Sequence, residues 1–186
     1  MSGHRFHVNK ADRLLQPARY ELLQPEKRIE EFGIQKADVI ADLGAGNGFF
    51  TLPMAARSQK VYAVDIEPKM LQLLKQRADE QQLKNIELVE SSLDNIRLED
   101  HSIDKALAAF VLHEVPHLDK TFAEIKRILK PNGMLCIIEW EAVQSEMGPP
   151  LHERIGSNTL AQVVKSHGFT VEALHLHSSF YVLIVK

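Results

Sequence analysis

After residue 37 the chain alternates short apolar runs with amphipathic stretches, and this alternation limits the available folds more than any other feature. Residues 39–41, 61–64, 86–89, 103–112 and 134–140 have the length and apolar continuity of strands buried on both faces. Between them, Met70, Leu73, Leu74 and Ala78 recur at helical spacing behind Pro68. Leu118, Phe122, Ile125 and Leu129 line one face of a later helix that Pro131-Asn132-Gly133 stops. A helix is also expected over 47–57, where Pro53 is tolerated only near the first turn. Another should run from an N-cap at Ser157 to His167, with Gly168 behind it. Residues 170–177 and 180–185 pair most simply as a hairpin about Ser178-Ser179. Strands that alternate with helices pack as a parallel sheet covered on both faces. The expected fold is therefore a doubly wound α/β sheet with one antiparallel strand.

The first 33 residues read as helical, with Leu14, Leu15, Tyr20, Leu22, Leu23, Ile29 and Phe32 among charges and with Pro17 and Pro25 dividing the stretch. At 186 residues the chain fits a single domain, and no linker or repeat divides it. The charge is nearly balanced, 22 basic against 25 acidic residues, so there is no global attraction for nucleic-acid phosphates. No nucleic-acid partner is expected. A single cysteine, Cys136, excludes an internal disulfide and a multi-cysteine metal site. No apolar run reaches the roughly 18 residues of a membrane span, and the polar first 13 residues lack the apolar stretch of a secretory signal. A cytoplasmic protein is expected.

The segment Asp42-Leu43-Gly44-Ala45-Gly46-Asn47-Gly48 joins the first strand to the helix expected over 47–57. In open α/β sheets ligands bind beyond the carboxyl ends of the strands, and glycines there let backbone approach a ligand closely. The next strand ends at Asp65, which can accept hydrogen bonds from a ribose diol. A dinucleotide fingerprint would need glycine at position 49, where this chain has Phe49. The acid Asp42 suits a cofactor bearing an ammonium better than one bearing a pyrophosphate. S-adenosylmethionine has an ammonium and a sulfonium and no phosphate.

These residues resemble the class I S-adenosylmethionine-dependent methyltransferases, particularly the group of the ubiquinone/menaquinone-biosynthesis methyltransferases. Four segments carry the resemblance in order. They are Val39 through Gly48, Val64-Asp65-Ile66, residues 104–115 ending Phe110-Val111-Leu112-His113-Glu114-Val115, and Glu124 through Gly133. The resemblance implies a Rossmann-like seven-stranded sheet of order 3-2-1-4-5-7-6, strand 7 antiparallel, with helices on both faces. It implies that residues 1–35 form a helical lid over a core of residues 36–186. It also implies site roles: Asp42, Gly44, Ala45 and Gly46 along the methionine moiety, Asp65 on the ribose, Ile66 on the adenine, and Leu93 and Phe110 completing the cofactor set. The family's aspartate facing the adenine amine falls in register at Ser92, an uncharged and usually weaker acceptor.

Methyl transfer from a sulfonium needs a base only if the nucleophile arrives protonated. His113 is the candidate base, since imidazole titrates near working pH. Glu139, Trp140, Arg154 and Tyr20, with its neighbour Arg19, are candidate substrate contacts, and residues 148–154 a candidate wall of the substrate pocket. His113-Glu114-Val115-Pro116-His117 spells H-E-x-x-H, but that zinc site requires a helix and Pro116 opposes one, so no metal is expected. The expected function is methyl transfer from S-adenosylmethionine, yielding S-adenosylhomocysteine, to a small-molecule acceptor by in-line displacement. The alternatives are a non-catalytic S-adenosylmethionine-binding module and a nicotinamide-dependent oxidoreductase. The accepting atom and the oligomeric state leave no pattern in the sequence.

Overall fold

The computed structural model describes residues 8–186, with side chains from Ala11 onward; His4 and His7 lie outside that range. Seven strands form one sheet: β1 (Val39–Leu43), β2 (Lys60–Asp65), β3 (Ile86–Glu90), β4 (Ile103–Ala109), β5 (Leu129–Trp140), β6 (Val171–Leu176) and β7 (Phe180–Val185). Their order is β3-β2-β1-β4-β5-β7-β6, as the resemblance implied. The pairs from β3 to β5 are parallel, and β7 runs antiparallel between β5 and β6. The order reverses at β1, whose neighbours are β2 and β4. Ligand sites in open sheets lie at that switch point.

Among the described residues six α-helices cover the sheet: α1 (Pro17–Leu23), α2 (Pro25–Glu31), α3 (Thr51–Ala55), α4 (Pro68–Glu80), α5 (Leu118–Ile128) and α6 (Ser157–Ser166). Strand alternation divides the residues of β1 between the two faces. Ala41 and Leu43 face a core shared with Phe122, Ile125 and Ile128 of α5 and Leu160 and Val164 of α6. Ile40 faces the other core, with Leu23 of α1, Ile29 of α2 and Met54 of α3. Leu71, Leu74 and Ala78 of α4 pack on Ala63 of β2. Pro17 and Pro25 both open helices, where the missing N–H removes no bond, and Gln24 between them is left-handed (φ 45°). No helix among the described residues is long and apolar enough to cross a membrane.

Four element ends differ from expectation. The helix expected over 47–57 shrinks to α3, because Gly46 and Gly48 are left-handed (φ 53° and 88°) and a helix cannot run through them. β4 stops at Ala109, three residues early, since Phe110 is itself left-handed (φ 56°), and a 3-10 turn Leu112–Glu114 follows. α5 ends at Ile128, and Pro131-Asn132-Gly133 forms an excursion inside β5, where the register against β4 shifts. At α6 the N-cap is Gly156, and Ser157 is the first helical residue, its N–H donating to Glu141 Oε1 at 3.1 Å. The hairpin closes as expected, with His177 N donating to Phe180 O at 2.9 Å.

Tyr181 on β7 is fully buried, and its hydroxyl donates to Ile155 O at 2.8 Å, tying the segment before α6 to the sheet. Tyr181→Phe should lower unfolding free energy by about 0.5–1.5 kcal/mol, read from urea denaturation, with an unchanged slope.

Candidate functional site

The ends of β1, β2, β4 and β5 open into a cavity of about 1150 Å³. That exceeds the ~300–1,000 Å³ of common small-ligand sites and leaves room for two molecules. At one end lies the glycine loop. Gly44 is left-handed (φ 77°), and a Cβ on it would stand 2.5 Å from Val111 Cγ2. Only glycine allows this loop to lie so close to the turn after β4. The N–H groups of the loop are spent inside the protein. Gly44 and Ala45 donate to Val64 O (2.8 and 3.0 Å), Gly46 to Asp65 Oδ2 (2.7 Å) and Gly48 to Ala45 O (3.0 Å). A loop with these donors committed is a poor cradle for a pyrophosphate, which binds through free backbone N–H groups.

Two carboxylates flank the loop. Asp42, the fourth residue of β1, is buried, and Thr51 Oγ1 donates to its Oδ2 at 2.5 Å. Burial drives its pKa up to about 7, the Thr51 hydrogen bond opposing and the nearby Asp65 charge reinforcing that shift. Asp65 ends β2 and accepts from Gly46 N and from Glu67 N (2.9 Å). Burial raises its pKa as well, against those two bonds. A carboxylate has about four lone-pair sites, so Asp65 keeps acceptor capacity for a ligand hydroxyl. Ile66 is 42% exposed, lining the cavity with Met70, Ser92 and Leu93.

At the other end, His113 on the turn after β4 meets Glu139 of β5. His113 Nδ1 lies 2.9 Å from Glu139 Oε1, and Trp140 N donates to the same oxygen at 2.8 Å. Glu139 is 0% exposed and does not line the cavity, whereas His113 does. Burial opposes the imidazolium, but the hydrogen bond to Glu139 and the charges of Glu139, Glu114 and Glu153 outweigh it and raise the His113 pKa. With Nδ1–H donating to Glu139, the other ring nitrogen of neutral His113 is an acceptor.

The N-terminal elements close one side. Leu14 and Arg19 line the cavity, and Asn47 Nδ2 donates to Ala11 O at 2.9 Å. The Arg19 guanidinium carbon stands 5.4 Å from the Phe49 ring centre and 5.0 Å from that of Phe110. Burial lowers its pKa to about 10, the Glu139 charge opposing, so it stays cationic at neutral pH.

Of the residues singled out from sequence, Asp42, Gly44, Ala45, Gly46, Asp65, Ile66, Ser92, Leu93, Phe110, His113 and Trp140 all line this one cavity. Three candidate substrate contacts do not. Tyr20 packs edge-on against Phe49 at 4.8 Å between centroids, and Glu139 stands behind His113. Arg154 spends its donors on its own loop, at Pro149 O, Val143 O, Ser145 Oγ and Met147 O. Gly148, Pro149, Pro150 and Glu153 of the 148–154 loop do form a wall. The H-E-x-x-H spelling forms no helix, since Val115 is extended (ψ 135°). Among the described residues no three His, Cys, Asp or Glu side chains are grouped to hold a metal. Asp94, passed over in the sequence, lines the cavity and accepts from Ser92 Oγ at 2.5 Å.

Comparison with known proteins decides the family. A family model described as "Methyltransferase domain" matches residues 41–137, just over half the chain. The chain belongs to the class I S-adenosylmethionine-dependent methyltransferases. A methyltransferase-like protein of Schizosaccharomyces pombe is 35% identical over 129 residues, covering 65% of this chain and 48% of its own. The ubiquinone/menaquinone biosynthesis C-methyltransferase UbiE of Brucella canis is 28% identical over 144 residues, covering 72% and 54%. This methyltransferase thus spans about half the length of those curated relatives. The crystal structure of an S-adenosylmethionine-dependent methyltransferase from Aquifex aeolicus superposes with a TM-score of 0.91 at 28% identity, covering 97% of this chain and 98% of that one.

The raised Asp42 pKa has a consequence for stability. An unfolded aspartate titrates near 3.9, so between about pH 4 and 7 the folded protein binds more protons than the unfolded chain at this residue. The contribution of Asp42 to stability therefore falls as pH rises through that window. Asp42→Asn should remove that slope, so the variant gains on the wild type between pH 5 and pH 8, measured by urea unfolding at both.

Proposed function

We propose that the cavity binds S-adenosylmethionine with its aminoacyl end over Asp42, Gly44, Ala45 and Gly46 and its ribose on Asp65. The adenine lies against Ile66 and Leu93, and Phe110 borders the aminoacyl end. Three observations support this placement: a buried carboxyl group whose ionised form an ammonium would stabilise, loop donors already committed, and an apolar shelf at Ile66 beside Asp65. Ser92 and Asp94 supply the polar edge for the adenine amine, the carboxylate standing two residues beyond its usual place. Of the expected lid over residues 1–35, residues 1–7 lie outside the described residues; residues 8–35 act as a lid, with Leu14 and Arg19 as its inner surface.

When bound, S-adenosylmethionine supplies a methyl group on a sulfonium that departs as the thioether of S-adenosylhomocysteine. The protein's contribution is to position a small acceptor in line at the ends of β4 and β5, and such alignment is worth up to ~7–11 kcal/mol of barrier. The observation that carries the proposed chemistry is the His113–Glu139 pair. Glu139 fixes the imidazole through Nδ1, leaving Nε2 to take a proton from a hydroxyl, thiol or acidic carbon of the acceptor. His113 Nε2 would take the proton that the acceptor gives up on accepting the methyl group, balancing the charge lost from the departing sulfonium. Glu139 acts through His113 as a positioning residue. Trp140, 4.6 Å from Phe110 between ring centres, forms part of the apolar wall beside the acceptor.

Calorimetry with S-adenosylhomocysteine and NADH tests the cofactor assignment. Binding of the first and not the second is expected, and the reverse would overturn it. Asp65→Ala should weaken S-adenosylhomocysteine by about 1–3 kcal/mol with the fold retained, through the unpaired diol.

Methyl transfer to a metabolite panel tests the chemistry. Once an acceptor is found, His113→Gln should lower kcat by roughly 10²–10⁴ while leaving S-adenosylhomocysteine affinity in place. Because the His113 pKa is raised, the wild-type rate should fall as pH drops through that value and level off above it. Glu139→Gln should move the inflection to lower pH. A flat profile in the wild type would remove the proton-accepting role.

A further inference from the structure

Among the described residues two arginines have a buried Nε without a hydrogen-bond partner, Arg19 and Arg28. Arg28 has a counter-charge in Glu31, 2.6 Å from its Nη1. Arg19 lines the cavity, and its guanidinium makes no hydrogen bond or ion pair with any described residue. Burial lowers its pKa only to about 10, so it is a cation at neutral pH. A cation withdrawn from water without a counter-charge is costly, and an unpaired buried donor calls for a partner. The rings of Phe49 and Phe110, 5.4 and 5.0 Å away, hold its position without supplying that charge.

The place of Arg19 in the cavity assigns the missing partner to the acceptor. Phe110, over which Arg19 lies, packs on Trp140 of the acceptor wall, 4.6 Å between ring centres. The carboxylate whose charge opposes the effect of burial on Arg19 is Glu139, behind His113. Asp42, at the floor of the glycine loop, responds instead to burial, to Thr51 and to Asp65, and Arg19 has no part in its shift. Coulombic effects fall with distance, so Arg19 stands nearer the His113–Glu139 pair than that floor. Glu139 is already met by the imidazole and the Trp140 N–H and forms no ion pair with Arg19. Glu114 and Glu153 also line the cavity, and their charges act on His113. Arg13, the other arginine of the lining, is exposed. An anionic group is thus opposed along this half of the cavity except against Arg19, which fixes where one can rest. One guanidinium matches one negative charge, and a dianion would leave a charge facing the acids.

We infer that Arg19 determines the substrate class: the acceptor is a small molecule with one carboxylate, which Arg19 holds while the atom to be methylated faces His113. This rests on the methyl-transfer reading above and names the acceptor for it. The planar fork of a guanidinium matches a carboxylate edge, which fixes the orientation of the molecule as well as its charge. The carboxylate is the anchor and not the methylated group, since His113 takes its proton from a separate hydroxyl, thiol or acidic carbon. Because Arg19 belongs to α1, the same ion pair ties the N-terminal segment to the occupied cavity.

Calorimetry of the full-length wild type and Arg19→Gln with S-adenosylhomocysteine comes first, and equal affinities are expected. No binding by the wild type would remove the cofactor assignment itself. Loss of binding in the variant alone would overturn the inference by giving Arg19 to the donor's tail. Methyl transfer from labelled S-adenosylmethionine is then measured for a panel of small hydroxy and mercapto carboxylic acids, each beside its primary amide and the matching amine. The acids should be the acceptors. Arg19→Gln should raise KM for them roughly ten- to hundredfold with little change in kcat, the loss expected for a charge-assisted bond away from the reacting atoms. Arg19→Lys should recover part of that loss. Amides or amines methylated as well as the acids would overturn the substrate class, and so would a panel in which no acid is methylated. Equal losses for acids and amides in Arg19→Gln would overturn it in favour of a purely structural role.

Discussion

The glycine loop lies flat across the end of the sheet because its backbone is bonded sideways to β2, and the rest of the site depends on that attachment. Gly44 and Ala45 both donate to Val64 O, and Gly46 donates to the carboxylate of Asp65. Three consecutive donors are thereby drawn toward one neighbour, which turns the chain sharply after Leu43 and requires left-handed backbone at Gly44 and Gly46 (φ 77° and 53°). The turn leaves Asp42 at the floor of the cavity, with Thr51 as its hydrogen-bonding neighbour. It also brings Gly44 so close to Val111 that a methyl group at position 44 would collide with that side chain. One set of backbone bonds therefore fixes the floor, one wall and the spacing between β1 and the turn after β4.

The chemistry at the far end depends on strand register. Ala109 of β4 pairs with Ile138 of β5, and Phe110 N then donates to Ile138 O at 2.7 Å while its left-handed backbone turns the chain. That turn sets His113 opposite Glu139. A carboxylate with no exposure is costly to bury unless its charge is met by donors. Glu139 has the imidazole and the Trp140 N–H, and His113 N approaches its second oxygen at 3.4 Å. An apolar residue at position 139 would pack without that desolvation. A buried acid whose partner opens onto the cavity fits a group that must hold a proton and release it.

The sheet and the loop were legible because their signals are local. Apolar runs, proline and glycine punctuation and the acid ending β2 each act within a few residues. The end of β4 was not legible, since Phe110-Val111-Leu112 is as apolar as the strand before it and apolar continuity carries no information about φ. The short α3 was hidden by the opposite fault. Residues 47–57 have helical composition, but the loop's attachment to β2 dictates left-handed glycines that propensity cannot foresee. Side-chain destinations fared according to their reach. His113, one turn beyond a strand end, fell in the cavity. Arg154 and Tyr20 were chosen for chemical type alone, and the carbonyls of residues 143–149 and the Phe49 ring took them instead. Asp94 went unnoticed because its use depends on Ser92, whose hydroxyl turns toward it rather than into open space.

The charge of the cavity bears on the kind of ligand it suits. Among the described residues, seven acidic side chains line it against two arginines, although the whole chain has a formal net charge of only −3. Walls of low dielectric concentrate such a field inside a cleft. A sulfonium donor enters with one positive charge more than the thioether it becomes. Under the proposed cofactor assignment, an acidic lining would hold the cationic donor more tightly than the product, a Coulombic difference that shape complementarity could not supply, since the two differ by one methyl group. The floor of that cavity is dry as well as acidic, since burial is the chief cause of the raised Asp42 pKa and the Asp65 charge only adds to it.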